Sequence, residues 1–560
     1  VDDVTQELVH HVRELGDNLF GKRSGLLSLW QEIADNFFPT RADFTHTRNI
    51  GAEMASNLMT SAPVLAHRSL GNAFGAMLRP TAKEWFKPRS QRPDKEDTEA
   101  KQYLEWLKKL QKNAMYDSKA SLARATKEAD MDFACFGQAV LQAVMYRPAD
   151  GSTPHLHHRC HHLRDVAWME NELDVIDTVF RKWSPTAITL KNLFRKTVHP
   201  NVTKLLEKTP YAEVNCWHVV VPKALYETFP GAKKFRQPFV CLYIDCDNQH
   251  LLEEVPMWVS GYIIPRWQTV SGSQYAHSPA TVAALPDARL LQSITGVLLE
   301  SGEKAVNPPM VAVQDAVRGD IPVYAGGVTW IDADYDERTG EALRPMSSDH
   351  KGLGFGLDLI QDLRHQLQES FFLNKLNLPP SGGPDMTAYE VGQRVQEFIR
   401  NTLPLFEPME MEYNARLCET DLQLLMRADM SIAARAPQSM RGTEIEFSFE
   451  SPLREAIDKA KVGQFLEAGQ VITQAIQLEP AAAFIVDGAK AVRDVLTAVV
   501  PADWMRTESE SENLRRNAIA AQQQQQALEL MQKAGDVAKT ASEAAGNTAR
   551  MTGLSAEMAA

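Results

Sequence analysis

The run His155, His157, His158, His161 and His162, with Cys160 inside it, is the chain's densest concentration of side chains able to bind a metal. Imidazole nitrogens and thiolates are good zinc ligands. In an extended strand His155, His157 and His161 share one face while His158, Cys160 and His162 share the other, so three ligands could converge from either side. His158, Cys160 and His162 are the weak candidates for a metal site, and they carry one functional alternative, an intracellular metal-dependent enzyme using the 155–162 cluster. Metal sites normally draw ligands from separate elements. The competing expectation is a solvated edge strand that responds mildly to pH.

Three further patterns imitate known sites. Gly16-Asp17-Asn18-Leu19-Phe20-Gly21-Lys22 outlines a phosphate-binding loop, but Arg23 stands where a Ser or Thr hydroxyl must hold magnesium. A helical pattern also precedes it where the motif needs a strand, so a helix break is expected. Gly352-Leu353-Gly354-Phe355-Gly356 lacks the strand and the spacing of a dinucleotide site, and is expected to be the flexible start of a helix. Asp332, Asp334 and Asp336 alternate as calcium ligands do, without the loop's glycine and terminal glutamate; a charged turn is expected. No GxSxG, HExxH or other nucleophile motif occurs, which moves the expectation away from an enzyme.

The elements that must position these residues are mostly helical. Apolar residues at three- and four-residue intervals predict helices over 2–38, 56–78, 101–115 and 122–144. Pro80 and Pro88 bracket an extended piece at Glu84-Trp85-Phe86. The period changes to two between about 155 and 265, with strand-like runs at 175–183, 216–221, 239–244 and 258–264. Ser278-Pro279 has the form of an N-cap followed by proline at the first helical position, and a helix continues to Asn307-Pro308-Pro309. Residues 310–334 alternate short strand-like pieces with turns, and helical pattern returns over 357–377. After a Pro/Gly loop, Thr387 and Glu390 form a capping box, with Met386 and Val391 placed as its hydrophobic staple. Residues 444–450 alternate strictly, which predicts a strand with one buried face. From Ser451-Pro452 a helical series runs to about 500. A glutamine run at 522–526 then leads into an Ala-rich tail that is either partner-dependent helix or disorder. The fold class is mixed α+β, mainly helical.

The 560 residues suffice for several cores, and 44% hydrophobic with 23% charged residues is the composition of a folded chain. With 59 Lys and Arg against 72 Asp and Glu, the net charge of −13 argues against coating nucleic acid through bulk positive charge. Lys and Arg read as dispersed. Arg289, Lys304, Arg364 and Lys375 lie on the two helical segments flanking the central insert, and single basic residues on helices ordinarily only solvate. Six cysteines without a CxxC pair indicate neither a disulfide framework nor a zinc ribbon, and fit a reducing compartment. The most apolar stretch, 133–146, is short of the roughly 20 residues needed to span a bilayer, so no membrane span is expected. Val1-Asp2-Asp3 lacks the layout of a signal peptide.

Several segments together resemble the head-to-tail connector, or portal, family of short-tailed bacteriophages. The residues carrying the resemblance are Trp30-Gln31-Glu32-Ile33-Ala34, Phe38-Pro39-Thr40-Arg41, Arg79-Pro80, Glu84-Trp85-Phe86 and Phe136-Gly137-Gln138-Ala139. They continue with Asp177-Thr178-Val179-Phe180-Arg181, Tyr275-Ala276-His277-Ser278-Pro279, Leu285-Pro286-Asp287 and Glu303-Lys304-Ala305-Val306-Asn307-Pro308-Pro309. Met386-Thr387-Ala388-Tyr389-Glu390-Val391, with Arg394 and Glu397, and Ser451-Pro452-Leu453 complete an ordered series covering about 30 to 455. The family more often has Tyr-Gly-Arg-Ser-Pro at 275–279 and Thr at Tyr389, which marks a divergent member.

The resemblance implies the phage portal fold of wing, stem, clip and crown, assembled as a ring of usually twelve subunits with a central channel. It implies a wing at 1–275, stem helices at 276–307 and 351–377 around a clip at 308–350, and a candidate tunnel loop at 378–386 containing Pro379, Pro380, Ser381, Gly382, Gly383 and Pro384. It further implies a wing helix and strand at 387–451, a crown at 452–520, and a helical barrel or disordered tail at 521–560. Arg289, Lys304, Arg364 and Lys375 become channel or DNA-facing candidates, and Arg318, Asp320, Asp332, Asp334 and Asp336 docking candidates in the clip. The implied partners are other copies of the chain, double-stranded DNA in the channel, the terminase large subunit, a tail adaptor, and the major capsid and scaffolding proteins, with no membrane. The implied protein is non-enzymatic, needs no cofactor, assembles in the host cytoplasm, and resides in the virion at the portal vertex. An acidic channel wall agrees with this role, because each phosphate it neutralised would add counterion-release affinity and grip the sliding duplex.

Overall fold

A computed structural model describes residues 3–306 with short breaks, several segments between 308 and 376, residues 409–449, and the stretches 514–518 and 539. The chain divides into two compact units, Val1–Ile457 and Asp458–Ala560; in the second, residues 514–518 are helical. The capping box at Thr387 and Glu390, the loop 378–386 and the series 451–500 lie outside the described residues.

The first long helical pattern forms two helices, α1 (Asp3–Lys22) and α2 (Ser24–Phe37), with the break at Arg23. That guanidinium is buried and donates to the carbonyls of Leu163 at 2.6 Å, Val166 at 2.9 Å and Arg164, so the false phosphate loop is a structural joint. A Cβ at Gly16 would sit 2.3 Å from the Trp217 ring, and its absence lets α1 lie on a sheet. Helix α3 (Ala62–Leu78) follows, then strand β1 (Phe86–Ser90), whose Pro88 is tolerated in a two-stranded pairing. Helices α4 (Thr98–Met115) and α5 (Leu122–Phe136) come next.

The helix predicted over 122–144 is instead α5 followed by strand β2 (Val140–Tyr146). Gly137 at φ +71° ends α5, its N–H returning to the Phe133 carbonyl, which turns an apolar run of helical appearance into a strand. Strand β3 (His155–His161) pairs with β2 and forms one edge of its three-stranded sheet. Strands β4 (Val166–Glu170) and β5 (Ile176–Trp183) begin a second sheet. Helices α6 (Ala187–Phe194) and α7 (Pro200–Lys208) intervene before strand β6 (Cys216–Pro222). After the short α8 (Lys223–Tyr226), strands β7 (Phe239–Asp245) and β8 (His250–Met257) complete a five-stranded antiparallel sheet in the order β4-β5-β6-β7-β8. The strand predicted over 258–264 shrinks to β9 (Tyr262–Ile263) on β2, entered through Gly261 at φ +73°.

The 28-residue helix α9 (Pro279–Val306), about 42 Å long at 1.5 Å per residue, leads to the central insert. There β10 (Met310–Ala312) pairs with β13 (Leu343–Pro345), and β11 (Val317–Arg318) with β12 (Trp330–Ile331). Helices α10 (Gly352–Ser370) and α11 (Leu373–Leu376) return. The triple-glycine segment is therefore the opening of α10, where Gly356 lets α10 approach Leu298 of α9. Helix α9 is long and apolar enough to cross a membrane by length and composition. A search for uninterrupted apolar runs overlooks it because Asp287 and Arg289 interrupt the pattern. Its first half, from Ala280 to Leu291, packs into the main core. Strand β14 (Ile445–Phe449), legible from its alternation, pairs with β1 in the register Phe86↔Phe449.

The main core gathers α2, α3, α5, the three-stranded sheet and the base of α9 around Trp30, Phe37, Phe74, Phe133 and Phe136. A second core lies between α1 and one face of the five-stranded sheet, and a third between its other face and the α6–α7 pair.

Candidate functional site

The histidine strand resolves into separate structural contacts. His158 is wholly buried; its Nε2 meets both carboxylate oxygens of Asp421 at 2.9 and 3.0 Å, and its Nδ1 lies 3.1 Å from the Ala120 carbonyl. Both partners accept, so both ring nitrogens donate and the ring is an imidazolium. Burial alone would lower its pKa, but the Asp421 carboxylate and the Ala120 carbonyl raise it above the ordinary imidazole value. His161 and His162 are the opposite case: burial, then neighbouring arginines, bring them down to about 2 and about 3. His161 Nε2 bonds Gln142, while His162 Nδ1 accepts the Arg164 N–H and caps a short 3-10 turn. Burial, followed by the Asp132 carboxylate, holds the Cys160 thiol well above its usual range, and its Sγ lies 3.7 Å from Asp132 Oδ2. Asp132 itself takes two hydrogen bonds from Arg41, at 2.9 and 2.6 Å.

The expectation of a ligand set at His158, Cys160 and His162 is therefore corrected, because their polar atoms are committed to different partners. Among the described residues no group of three or more His, Cys, Asp or Glu is placed to hold a metal. The bland expectation of a solvated strand is corrected too: β3 is an edge strand, yet His158 and His161 are buried beneath neighbouring elements.

The base of α9 is locked to the end of α5. A Cβ at Gly137 would sit 2.1 Å from the His277 carbonyl carbon, so only glycine allows this crossing. Ser278 Oγ donates to the Ala134 carbonyl at 2.7 Å, and Thr281 Oγ1 to Cys135 at 2.9 Å. The N-cap role expected of Ser278 is secondary, with Thr281 N 3.5 Å from the hydroxyl.

The far half of the helix pair is bare. Leu298 faces Gly356 of α10. At about 100° per residue, Val297 and Leu299 point to opposite sides of that contact, as do Phe355 and Leu357 beside Gly356. Their exposures are 59%, 59%, 74% and 57%. Both broad faces of the hairpin thus present apolar side chains to solvent.

The basic candidates on these helices are mostly engaged within the chain. Arg289 pairs with Glu32 of α2 at 2.5 Å, and Lys304 with Glu300 at 2.7 Å. Arg364 borders a cavity of about 210 Å³ lined by Ala62, Leu65, Leu367 and Leu373. Lys375 lies in α11, and Arg318 in β11. Asp320, Asp332, Asp334, Asp336 and the loop residues 379–384 lie outside the described residues.

The expectation that basic residues are dispersed needs correction at α6–α7, where Lys191, Arg195, Lys196, Lys204 and Lys208 accompany a single acid, Glu207. A running charge count over 187–208 would have found them.

Residues 9–505 match the family of bacteriophage head to tail connecting proteins. The chain belongs to that family. A head to tail connecting protein is a structural component of the phage particle and not a catalyst, which overturns the alternative of a metal-dependent enzyme together with the dispersed histidine contacts. This connector is similar to a probable portal protein of Bordetella phage BPP-1, with 25% identity over 448 residues, covering 78% of this chain and 77% of that protein. It is 22% identical over 538 residues to a portal protein of Salmonella phage epsilon15, covering 94% of each. Among solved structures, a chain from the neck of an empty GTA particle aligns over 82% of this connector and 98% of that chain, at 12% identity and a TM-score of 0.30.

Proposed function

We propose that this connector is a portal subunit, assembling as a ring of twelve at one capsid vertex, through whose channel double-stranded DNA is packaged and ejected. The observation that carries the reading is the pair of apolar faces on the α9–α10 hairpin, with Val297 and Leu299 on opposite sides. A ring uses heterologous contacts, in which each copy offers two different surfaces and each surface meets its complement on the next copy. A hairpin apolar on both broad faces suits that arrangement, and such exposure is unfavourable in a monomer.

In this reading α9 and α10 form the stem, residues 1–275 and 387–451 the wing, 308–350 the clip, 378–386 the tunnel loop, 452–520 the crown, and 521–560 a barrel or tail. The clip, carrying Arg318, docks the terminase and afterwards the tail adaptor; capsid and scaffolding proteins surround the wing. The net charge of −13 per subunit, with Arg289 and Lys304 paired to Glu32 and Glu300, suits a channel that does not grip phosphate.

The test is the mass of the purified chain in solution. A species near twelve times 62.6 kDa is expected, and the double variant Val297→Asp, Phe355→Asp is expected to run as a folded monomer. A wild-type chain that remains monomeric at high concentration, with scaffolding protein present, would overturn the reading.

A further inference from the structure

We infer that the outward face of the α6–α7 pair is a binding surface for the phosphodiester backbone of double-stranded DNA, separate from the channel. Within 187–208, Lys191, Arg195, Lys196, Lys204 and Lys208 accompany one acid, Glu207, with Glu213 and Asp247 on the adjoining segments, in a chain whose net charge is −13. The inner faces of both helices, through Ala187, Leu190, Val202 and Leu205, are used in packing on the five-stranded sheet. The charged positions consequently lie at the edge or on the outside, and all but the half-buried Lys191 are exposed. Lys204 and Lys208 are an i,i+4 pair on α7, with about 6 Å between their Cβ atoms, and Lys191 lies on α6 with Arg195 and Lys196 just beyond its end.

The local backbone makes the same point at Arg195. It caps α6 at φ +35°, in the region where glycine is the ordinary residue. A cation is held where the chain conformation would favour having no side chain, and residues in such conformations cluster at functional positions. Among the neighbouring short polar residues, Thr197 donates to the Phe194 carbonyl and Asn201 to Asn248, while Asn192 is exposed beside Lys191. Two of the four cations that the sequence offered to DNA, Arg289 and Lys304, are held in ion pairs by Glu32 and Glu300.

Choosing DNA as the polyanion rests on the portal reading. An acidic protein segment is the competing ligand. Neutralising five phosphates gives a salt slope of about −4.5, so affinity falls roughly 500-fold between about 50 and 200 mM KCl.

The experiment is fluorescence anisotropy of the full chain with a labelled duplex of about 30 base pairs and arbitrary sequence, across that salt range. The triple variant Lys191→Ala, Lys204→Ala, Lys208→Ala should retain two contacts, a slope of about −1.8 and only about a 12-fold fall. A control, Lys101→Ala with Arg124→Ala, removes as exposed a pair of cations elsewhere and should leave the slope unchanged. No binding by the wild type, an unchanged slope in the triple variant, or equal losses in the control would each overturn the inference. So would tighter binding of polyglutamate than of the duplex. Mass measured on the same samples separates the two readings: a ring without this DNA affinity sinks only the inference, and a monomer that binds DNA through this face sinks only the portal assignment.

Discussion

Replacing Asp421 by Asn tests whether a single buried charge pair joins the helix Arg416–Ala428 to β3. The native contact is wholly buried on both sides, with His158 Nε2 2.9 and 3.0 Å from the two carboxylate oxygens. Removing one partner of a buried pair strands the other, at a cost of about 3–5 kcal/mol. A whole domain has only about 5–15 kcal/mol to lose. The pH dependence carries the specific signature. In the folded chain, burial opposes the charge on His158, but Asp421 and the Ala120 carbonyl together hold its pKa above the unfolded value of 6.5. The stabilisation is therefore complete below 6.5 and is lost as pH rises through the folded value. Urea midpoints of wild type and Asp421→Asn, read by tryptophan fluorescence from about pH 6 upward, should differ most at the acid end and converge as pH rises. Other titrating groups cancel in the difference. A gap that stays constant, or widens with pH, would refute the imidazolium assignment.

The other buried histidines titrate with the opposite sign. Burial brings His67 to about 4, His162 and His218 to about 3, and His161 to about 2, all below the ordinary 6.5. Each favours the unfolded chain by about 1.4 kcal/mol per pH unit as pH falls below that value. Four together consume the stability of a typical domain within about one to two and a half units below 6.5, so the tryptophan signal should report unfolding between about pH 5.5 and 4. A chain folded at about pH 3.5 would contradict this. Gly137→Ala must place a Cβ 2.1 Å from the His277 carbonyl carbon at φ +71°. Strain and overpacking together predict a loss of roughly 2–6 kcal/mol. Hydrogen exchange in the first turn of α9 should accelerate, and unchanged protection there would count against the lock.

Local periodicity made the helices and β14 legible, because each buries a face set by its own residues. Residues 444–450 alternate without a fault, so the strand could be read although its partner Phe86 lies far away in the chain. The failures occur where a distant contact decides. Nothing between 122 and 144 indicates a strand except Gly137, whose conformation is required by the approach of His277 from the other end of the sheet region. Strand β8 was missed since Leu251 and Leu252 adjoin, as do Glu253 and Glu254, and a register shift at Tyr243/Ile244 absorbs the lost alternation. The histidines misled for the same reason. Their spacing on one strand permits a metal site, and what prevents it is Asp421, 263 residues onward.

The two ends of α9 follow different rules, and that contrast links the fold to the proposed assembly. At its base, polar groups are satisfied inside the chain: Ser278 and Thr281 bond the last carbonyls of α5, and Arg289 is held by Glu32. Toward its far end, Leu298 meets α10 while Val297 and Leu299 are exposed apolar side chains. At about 25 cal/mol per Å², covering these apolar faces is a gain that the ring proposed above would supply. The intrachain lock fixes where the hairpin points before assembly, so the bare faces are presented in a set orientation and less ordering entropy opposes their burial. Loosening the base should therefore weaken assembly without touching the interface. Substituting Thr281 by Val, which removes the hydroxyl but keeps the shape, is the mildest change that separates the two ends. It should lower the fraction of ring at a given concentration while leaving the tip residues intact, and a ring unaffected by it would show that the two ends of the helix are uncoupled.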